Sequence, residues 1–213
     1  MWVYYMKTDI GISKRKQKSE ETKSKLLDAM LYIMDKYDYN TVTIRNICSV
    51  SGVSYGSFYN LFESKEDFLR YYLTSDFLKY KEEYYRGNTS FAGLSAAEKS
   101  IDIFVCCASY NIYKGVKFIS AFYSPNNTTL CPIPDPGGKE YSFSPLADEA
   151  RGYLETAKKE GLISAAADID EIVRQYCYLF NGITFNWCIS SGGYDIKKIV
   201  KDSFTDYLAR YTV

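Results

Sequence analysis

Two glycines four residues apart, Gly52 and Gly56, sit in the run SGVSYGSFYNLF of residues 51–62. Around them stand the side chains of this stretch that could do chemistry. They are the hydroxyls of Thr43, Ser54 and Ser57, the amide of Asn60, the phenols of Tyr55 and Tyr59, and the cations Arg45 and Lys65. No histidine accompanies them, for the 213-residue chain contains none. That removes the commonest general base and the commonest metal ligand. Neither G-x-G-x-x-G nor G-x-x-x-x-G-K-[ST] occurs. The six cysteines show no C-x-x-C spacing, and no cluster of thiolates or carboxylates suits zinc. An enzyme is therefore the least favoured class, and no catalytic residue, cofactor or metal is expected. Short hydroxyls, amides, phenols and cations are suited instead to bonding phosphate oxygens and base edges.

Those groups need elements to aim them. TIRNICSV, from Thr43, reads as a short helix with Ile44 and Ile47 inward. SGV is a turn in which Gly52 can take a backbone conformation closed to most residues. SYGSFYNLF is a second helix with Ser54 at its N-cap. This is a helix-turn-helix, whose second helix enters the DNA major groove. Gly56 is the odd residue, because glycine inside a helix costs roughly 1 kcal/mol against alanine. A missing side chain on the exposed face lets the backbone come close to a groove wall. Tyr55, Gly56, Ser57 and Asn60 are then expected to face outward, and Phe58, Leu61 and Phe62 inward. The basic residues Lys14, Arg15, Lys16, Lys18, Lys23 and Lys25 precede this unit as a phosphate-seeking arm.

The stretch TVTIRNICSVSGVSYGSFYNLFESKEDFL resembles the DNA-binding segment of the TetR family of bacterial transcriptional repressors. The matching positions are Thr43, Ile47, Gly52-Val53-Ser54, Gly56, Phe58-Tyr59, Phe62 and Ser64-Lys65-Glu66, within about residues 19–72. Cys48 stands where the family has alanine. Leu61 stands where tyrosine or histidine often reaches a phosphate. The resemblance implies DNA contact by Thr43, Arg45, Ser54, Tyr55, Gly56, Ser57, Tyr59, Asn60 and Lys65, with Tyr59 and Lys65 on phosphates. It also implies that the last two helices of two copies pack as a four-helix dimer interface, and that a ligand cavity lies beneath the fourth helix.

The rest of the chain reads as an all-α architecture of about nine helices. Helices are expected from Ser19 as N-cap to Tyr37, from Ser64 to about Tyr85, and near 95–112, 113–123, 146–160, 168–191 and 195–211. All five prolines fall between Pro125 and Pro145, so that segment is a long loop. Two domains are expected: residues 1–65 for DNA, with the basic arm, and residues 66–213 for ligand sensing and dimerisation. No apolar run is long enough for a membrane span. The apolar start is too short for a secretory signal, so free thiols in a reducing cytoplasm are expected.

The chain holds 22 tyrosines and 12 phenylalanines, an excess that permits an aromatic-lined pocket. The candidates are Phe104, Cys107, Tyr110, Tyr113, Phe118, Phe122, Tyr176 and Phe180. Few charges fall in 101–123 and 172–190, so a flat or apolar effector is favoured over a phosphate-bearing one. Cys106, Cys107 and Cys177 could form a thiol sensor, though inert buried cysteines are favoured. Phe180, Ile183, Trp187, Ile199, Phe204 and Tyr207 are the dimer-interface candidates. The expected function is a dimeric regulator, a repressor, released from a pseudo-palindromic operator by a small effector. The alternative is a regulator without such an effector, an activator or a partner-controlled form.

Overall fold

The computed structural model describes residues 14–37, 41–86, 89–123 and 145–212. The start of the chain and most of the proline-rich segment lie outside the described residues. Among the described residues ten α-helices follow one another: α1 Lys14–Lys36, α2 Ile44–Ser51, α3 Tyr55–Tyr59, α4 Lys65–Tyr85, α5 Thr89–Ala92, α6 Ala96–Lys114, α7 Val116–Ser120, α8 Pro145–Lys159, α9 Ile169–Ile189 and α10 Ile196–Leu208. Among the described residues the only β pairing is an isolated bridge between Ile163 and Thr212.

Local chemistry sets most helix starts. Ser95 and Glu98 form a reciprocal capping box at α6, with Glu98 N–H on Ser95 Oγ at 3.2 Å and Ser95 N–H on Glu98 Oε2 at 2.8 Å. Asp168 and Asp195 cap α9 and α10 by accepting from Glu171 and Lys198 N–H, each at 3.1 Å. Pro145 occupies the first position of α8, where its missing N–H costs nothing. At α4 Ser64 Oγ accepts from Asp67 N–H, and the Asp67 carboxylate accepts in turn from Glu63 N–H, both at 3.0 Å.

Two expectations change. Ser19 is not an N-cap: α1 already runs at Lys14, and Ser19 lies inside it. The lysines, arginine and glutamine before it are good helix formers and carry the helix back through the basic arm. The helix expected at 113–123 is shorter. Gly115, at φ 83°, separates α6 from α7, and a 3-10 turn covers Ala121–Tyr123. A single turn, α5, is an additional helix.

The chain divides into two compact units between Leu69 and Arg70. In the first, Leu26, Met30 and Ile33 of α1 are buried with Ile47, Phe58, Phe62, Phe68 and Leu69. In the second, α6 packs closely against α8 and α10, and α9 against α10, α8 and α7. Its core holds Phe104, Leu154, Tyr176, Val200 and Phe204. Each such side chain removed from water contributes about 1.5–3 kcal/mol.

Candidate nucleic-acid interface and interior aromatic sites

The first unit builds a rigid corner from short-range bonds. Thr43 Oγ1 accepts from Asn46 N–H at 3.1 Å, and the Asn46 amide donates to Thr41 O at 2.9 Å, which fixes the start of α2. Gly52 closes α2 at φ 69°, a left-handed conformation that costs a residue with a Cβ roughly 1 kcal/mol or more. Val53 N–H then donates to Ser51 Oγ at 3.2 Å. Ser54 begins α3, its Oγ accepting from Ser57 N–H at 3.1 Å. Phe58 is fully buried and packs against Phe62 and Phe68, with ring centres 5.7 and 5.8 Å away. This one anchor sets the rotation of a five-residue helix too short to be stable alone.

With Phe58 inward, Tyr55 and Tyr59 are 45 % and 55 % exposed, and Gly56 and Asn60 are exposed beside them. A Cβ added at Gly56 would meet nothing within 4 Å. The protein's own packing therefore does not require that glycine. Ser57 is half-buried, its hydroxyl 2.9 Å from that of Ser54, so it supports the cap as well as edging the outer face. Leu61, expected inward, is only half-buried. Arg45 is exposed on α2, and Lys65 is half-buried at the start of α4, with Glu66 3.9 Å away. No aspartate or glutamate falls between Thr41 and Phe62, so no carboxylate on this stretch opposes a polyanion. Arg15, Lys16, Lys18 and Lys25 are exposed along α1, while Lys23 pairs with Glu20 at 3.0 Å.

Residues 52–56 also spell G-x-S-x-G, the lettering of a hydrolase nucleophile elbow. That device needs a strand before the serine and a base beside it. Here a helix precedes Ser54, its Oγ serves as a cap, and the chain has no histidine.

Pocket candidates in the second unit separate by burial. Phe104, Tyr176 and Phe180 are buried against one another and against Phe204. Phe104 lies 5.6 Å from Tyr176, 5.6 Å from Phe180 and 4.9 Å from Phe204, and Tyr176 lies 4.3 Å from Phe204. They fill space as a core does. The Tyr176 hydroxyl is the one buried side-chain polar atom without a hydrogen-bond partner among the described residues. Tyr113 is 70 % exposed, stacked toward Tyr80 at 5.3 Å, and lines no interior. Phe122 is buried beside Phe118, ring centres 5.2 Å apart. Burial pushes the thiols of Cys106 and Cys177 up to about 12 and that of Cys188 to about 11, and raises Cys107 as well. Such thiols stay protonated, which counts against a thiolate sensor. Cys131 lies outside the described residues.

Dimer candidates separate in the same way. Phe204 is fully buried within the chain, and Trp187 and Phe180 are 5 % and 8 % exposed. They have almost no face to offer a second copy, because α9 and α10 turn them into the bundle of their own chain. Ile183 and Tyr207 are half-buried and Ile199 is exposed. The outward face of α9 is a stripe of Tyr178, Phe185 and Ile189, spaced seven and four residues apart, with the open Gly182 between. The spacing of Phe185 and Ile189 is legible in the sequence as a second apolar face of this helix, and Tyr178 extends it by two turns. Gln175, Leu179, Ile183, Asn186, Tyr194 and Ile199 help line an open groove of about 430 Å³ there.

One polar-aromatic cluster drew on a helix that supplied no pocket candidate. Lys114, the last residue of α6, donates to Tyr72 Oη at 2.6 Å and lies 3.1 Å from the Asp76 carboxylate. Tyr110 Oη donates to the same carboxylate at 2.7 Å. Burial disfavours the Lys114 charge, but the bonds to Tyr72 and Asp76 outweigh it and hold the amine protonated, its pKa raised. Burial and the Asp76 carboxylate raise Tyr110, so its phenol stays a neutral donor. Further along α4, Tyr85 donates to Asp102 at 2.8 Å and Lys81 pairs with Glu149 of α8.

The sequence profile described as "Bacterial regulatory proteins, tetR family" matches residues 26–72, which span α1 to the start of α4. No curated protein matches the chain at a significant level. Among solved structures the fold is similar to that of Thermus thermophilus FadR, a TetR-family transcriptional repressor in complex with lauroyl-CoA. That TM-score is 0.64 at 19 % identity, covering 88 % of this chain and 93 % of that one. It is also similar to FadR from Bacillus subtilis in complex with stearoyl-CoA, with TM-score 0.59, 15 % identity and coverages of 87 % and 97 %. A third likeness is to TylP, a TetR regulator from Streptomyces fradiae, with TM-score 0.59, 21 % identity and coverages of 93 % and 83 %.

Proposed function

We propose that this chain, a member of the TetR family by its residues 26–72, is a ligand-responsive transcriptional repressor that binds a pseudo-palindromic operator as a homodimer. The observation that carries this reading is the capped α2–Gly52–α3 corner, with Phe58 inward and Tyr55, Gly56, Tyr59 and Asn60 outward. Tyr55, Gly56 and Ser57 occupy the first turn of the recognition helix, the part that meets base edges. Thr43, Arg45, Tyr59 and Lys65 hold phosphates around it, Asn60 adds an amide, and Ser54 keeps α3 in place. The Tyr178–Phe185–Ile189 stripe and Ile199 form the dimer face, since water-exposed apolar side chains gathered on one face favour association. Such a regulator works in the cytoplasm, where the DNA is.

The effector enters through the likeness to FadR, whose complexes hold acyl-CoA. A coenzyme A group needs several cations for its phosphates. In this chain Lys114 is held by Asp76 and Tyr72, and Arg174 by Glu171. A small apolar or aromatic effector fits these helices better. It acts only by binding the DNA-competent and incompetent forms with different affinity. The packed Phe104–Tyr176–Phe180–Phe204 cluster favours a second reading, a regulator without a small-molecule effector.

Selection of bound sequences from a random DNA pool tests the assignment. An inverted repeat is expected, its half-sites one helical turn apart, about 34–36 Å, or moderately more. Lys65→Ala should weaken binding to all sequences alike and flatten the salt slope by about one unit. Tyr55→Ala and Ser57→Ala should change sequence preference. Equal loss on specific and random DNA in both variants overturns the readout, and a monomer in sedimentation at micromolar concentration overturns the dimer.

A further inference from the structure

The Lys114 ammonium sits inside a box of aromatic rings. Its Nζ lies 4.7 Å from the ring centre of Phe118, 5.2 Å from Tyr72 and 5.9 Å from Tyr110. The three rings come from three helices, α7, α4 and α6. Asp76 of α4 adds a carboxylate 3.1 Å from the same nitrogen. The walls are held in place: Tyr72 and Phe118 meet edge to face at 6.1 Å, Phe77 and Tyr80 each pack on Tyr110 at 5.5 Å, and the Tyr110 hydroxyl is tied to Asp76. Tyr72 and Tyr110 are buried, and 14 % of the Lys114 side chain reaches solvent.

Ring faces plus one carboxylate are the chemistry that recognises organic ammonium ions. The lysine amine is held in this box by its bonds to Tyr72 and Asp76 as much as by the rings. It is a compact, strongly hydrated charge on a flexible stem, and it loses part of its water shell there. A methylated ammonium carries less tightly held water and presents its positive charge on methyl groups, which suit ring faces.

We propose that Tyr72, Asp76, Tyr110 and Phe118 form a binding site for an organic ammonium ion, and that Lys114 is its tethered occupant, displaced when the ligand enters. The proposal rests on the effector reading above and gives that effector one positive charge. Asp76 supplies the counter-charge, and the three rings supply the walls. When the ligand enters, Lys114 swings to water on its own stem, the Tyr72 hydroxyl gives up its bond to the amine, and Asp76 keeps both a cation and the Tyr110 hydroxyl. A phosphate or carboxylate ligand is disfavoured at this place, because Asp76 opposes it.

Choline and its uncharged carbon isostere 3,3-dimethylbutan-1-ol, titrated into the full chain by calorimetry, test the site. Choline is expected to bind more tightly by about tenfold or more, the difference being the cation's attraction to rings and carboxylate. Lys114→Ala removes the tethered rival and should raise choline affinity by about tenfold, taking the exchange as one desolvated cation–ring contact. Lys114→Met, which keeps the stem and deletes only the charge, should do the same if the alanine variant folds poorly. Phe118→Leu and Asp76→Asn should abolish the preference in chains whose circular dichroism is unchanged. Tyr110→Phe keeps the ring and should retain it. Equal affinity for the two probes, or no gain in either Lys114 variant, overturns the proposal. Choline binding without release of DNA leaves the site standing and removes the effector reading. Release of DNA by neutral apolar compounds, with no choline preference, does the reverse.

Discussion

Tyr55 and Tyr59 on α3 and Tyr72 and Tyr110 on α4 and α6 are the same side chain in opposite circumstances. The first pair is about half exposed, on a helix anchored by Phe58 alone. The second pair is buried, and each hydroxyl is bonded, to Lys114 and to Asp76. A buried phenol must find a partner or lose the hydrogen bonds water gave it. The Tyr72 and Tyr110 hydroxyls therefore tie α4 to α6. Those of Tyr55 and Tyr59 face water. The same contrast holds for the thiols, which are buried mostly in the second unit.

Alkaline pH should expose the difference most strongly. Burial raises Cys106, Cys177 and Cys188 in the second unit, and Tyr85 and Tyr110 are raised further; in the first unit Cys48 is raised by burial. An acid raised in the folded state ionises first in the unfolded chain. The stability it contributes is present below the unfolded value, about 8.5 for cysteine and about 10 for tyrosine, and is lost as pH rises toward the folded value. Thermal unfolding followed by near-ultraviolet circular dichroism from pH 7 to 11 should show the second unit losing stability first, beginning near pH 9. A first unit that melts earlier in alkali would break the contrast.

Phe58→Ala should cost about 3–5 kcal/mol in urea unfolding, because it empties the one anchor under α3. Tyr55→Ala, three residues before, should stay within about 0.5 kcal/mol while altering DNA preference. A Tyr55 variant as unstable as the Phe58 variant would mean that the outer face of α3 is structural.

Tyr110→Phe should destabilise the chain by about 1 kcal/mol, at the low end of the usual range. Asp76 is partly exposed and keeps Lys114, which softens the loss. Tyr59→Phe should show no comparable change in the same denaturation experiment. Equal losses in the two variants would show that exposure does not separate the two kinds of tyrosine.

The smallest effect concerns the caps. Ser54→Ala removes the acceptor for Ser57 N–H and should cost about 1 kcal/mol. Its loss of DNA affinity should accompany the loss of stability, whereas for Tyr55→Ala the two are separate. Urea unfolding and DNA anisotropy on the same samples compare them.

The corner at Gly52 was legible in the sequence because its forces act within four residues. Thr43, Ser54, Ser95 and Asp67 bond backbone groups three or four places away, and Gly52 needs only its own backbone angle. The long helices α6, α8, α9 and α10 of the second unit were legible through the periodicity of buried side chains, whereas the short α5 and the break at Gly115 were not. Ser19 misled because a serine before two glutamates looks like a cap even where a lysine-rich arm continues the helix through it. Which face of α9 and α10 meets the rest of the chain was beyond local signals. Both helices are apolar on several sides, so Trp187 and Phe204 suited an interface as well as a core until packing against α6, α7 and α8 turned them inward. The box around Lys114 joins the helical pairs 72/76 and 110/114 with residue 118, and no spacing along the chain brings the α4 pair to the α6 pair. Residue types and short-range bonds thus decided the elements and the corner that presents α3. Long-range packing, which trades whole faces of helices against one another, decided which aromatic rings became core, surface or cage.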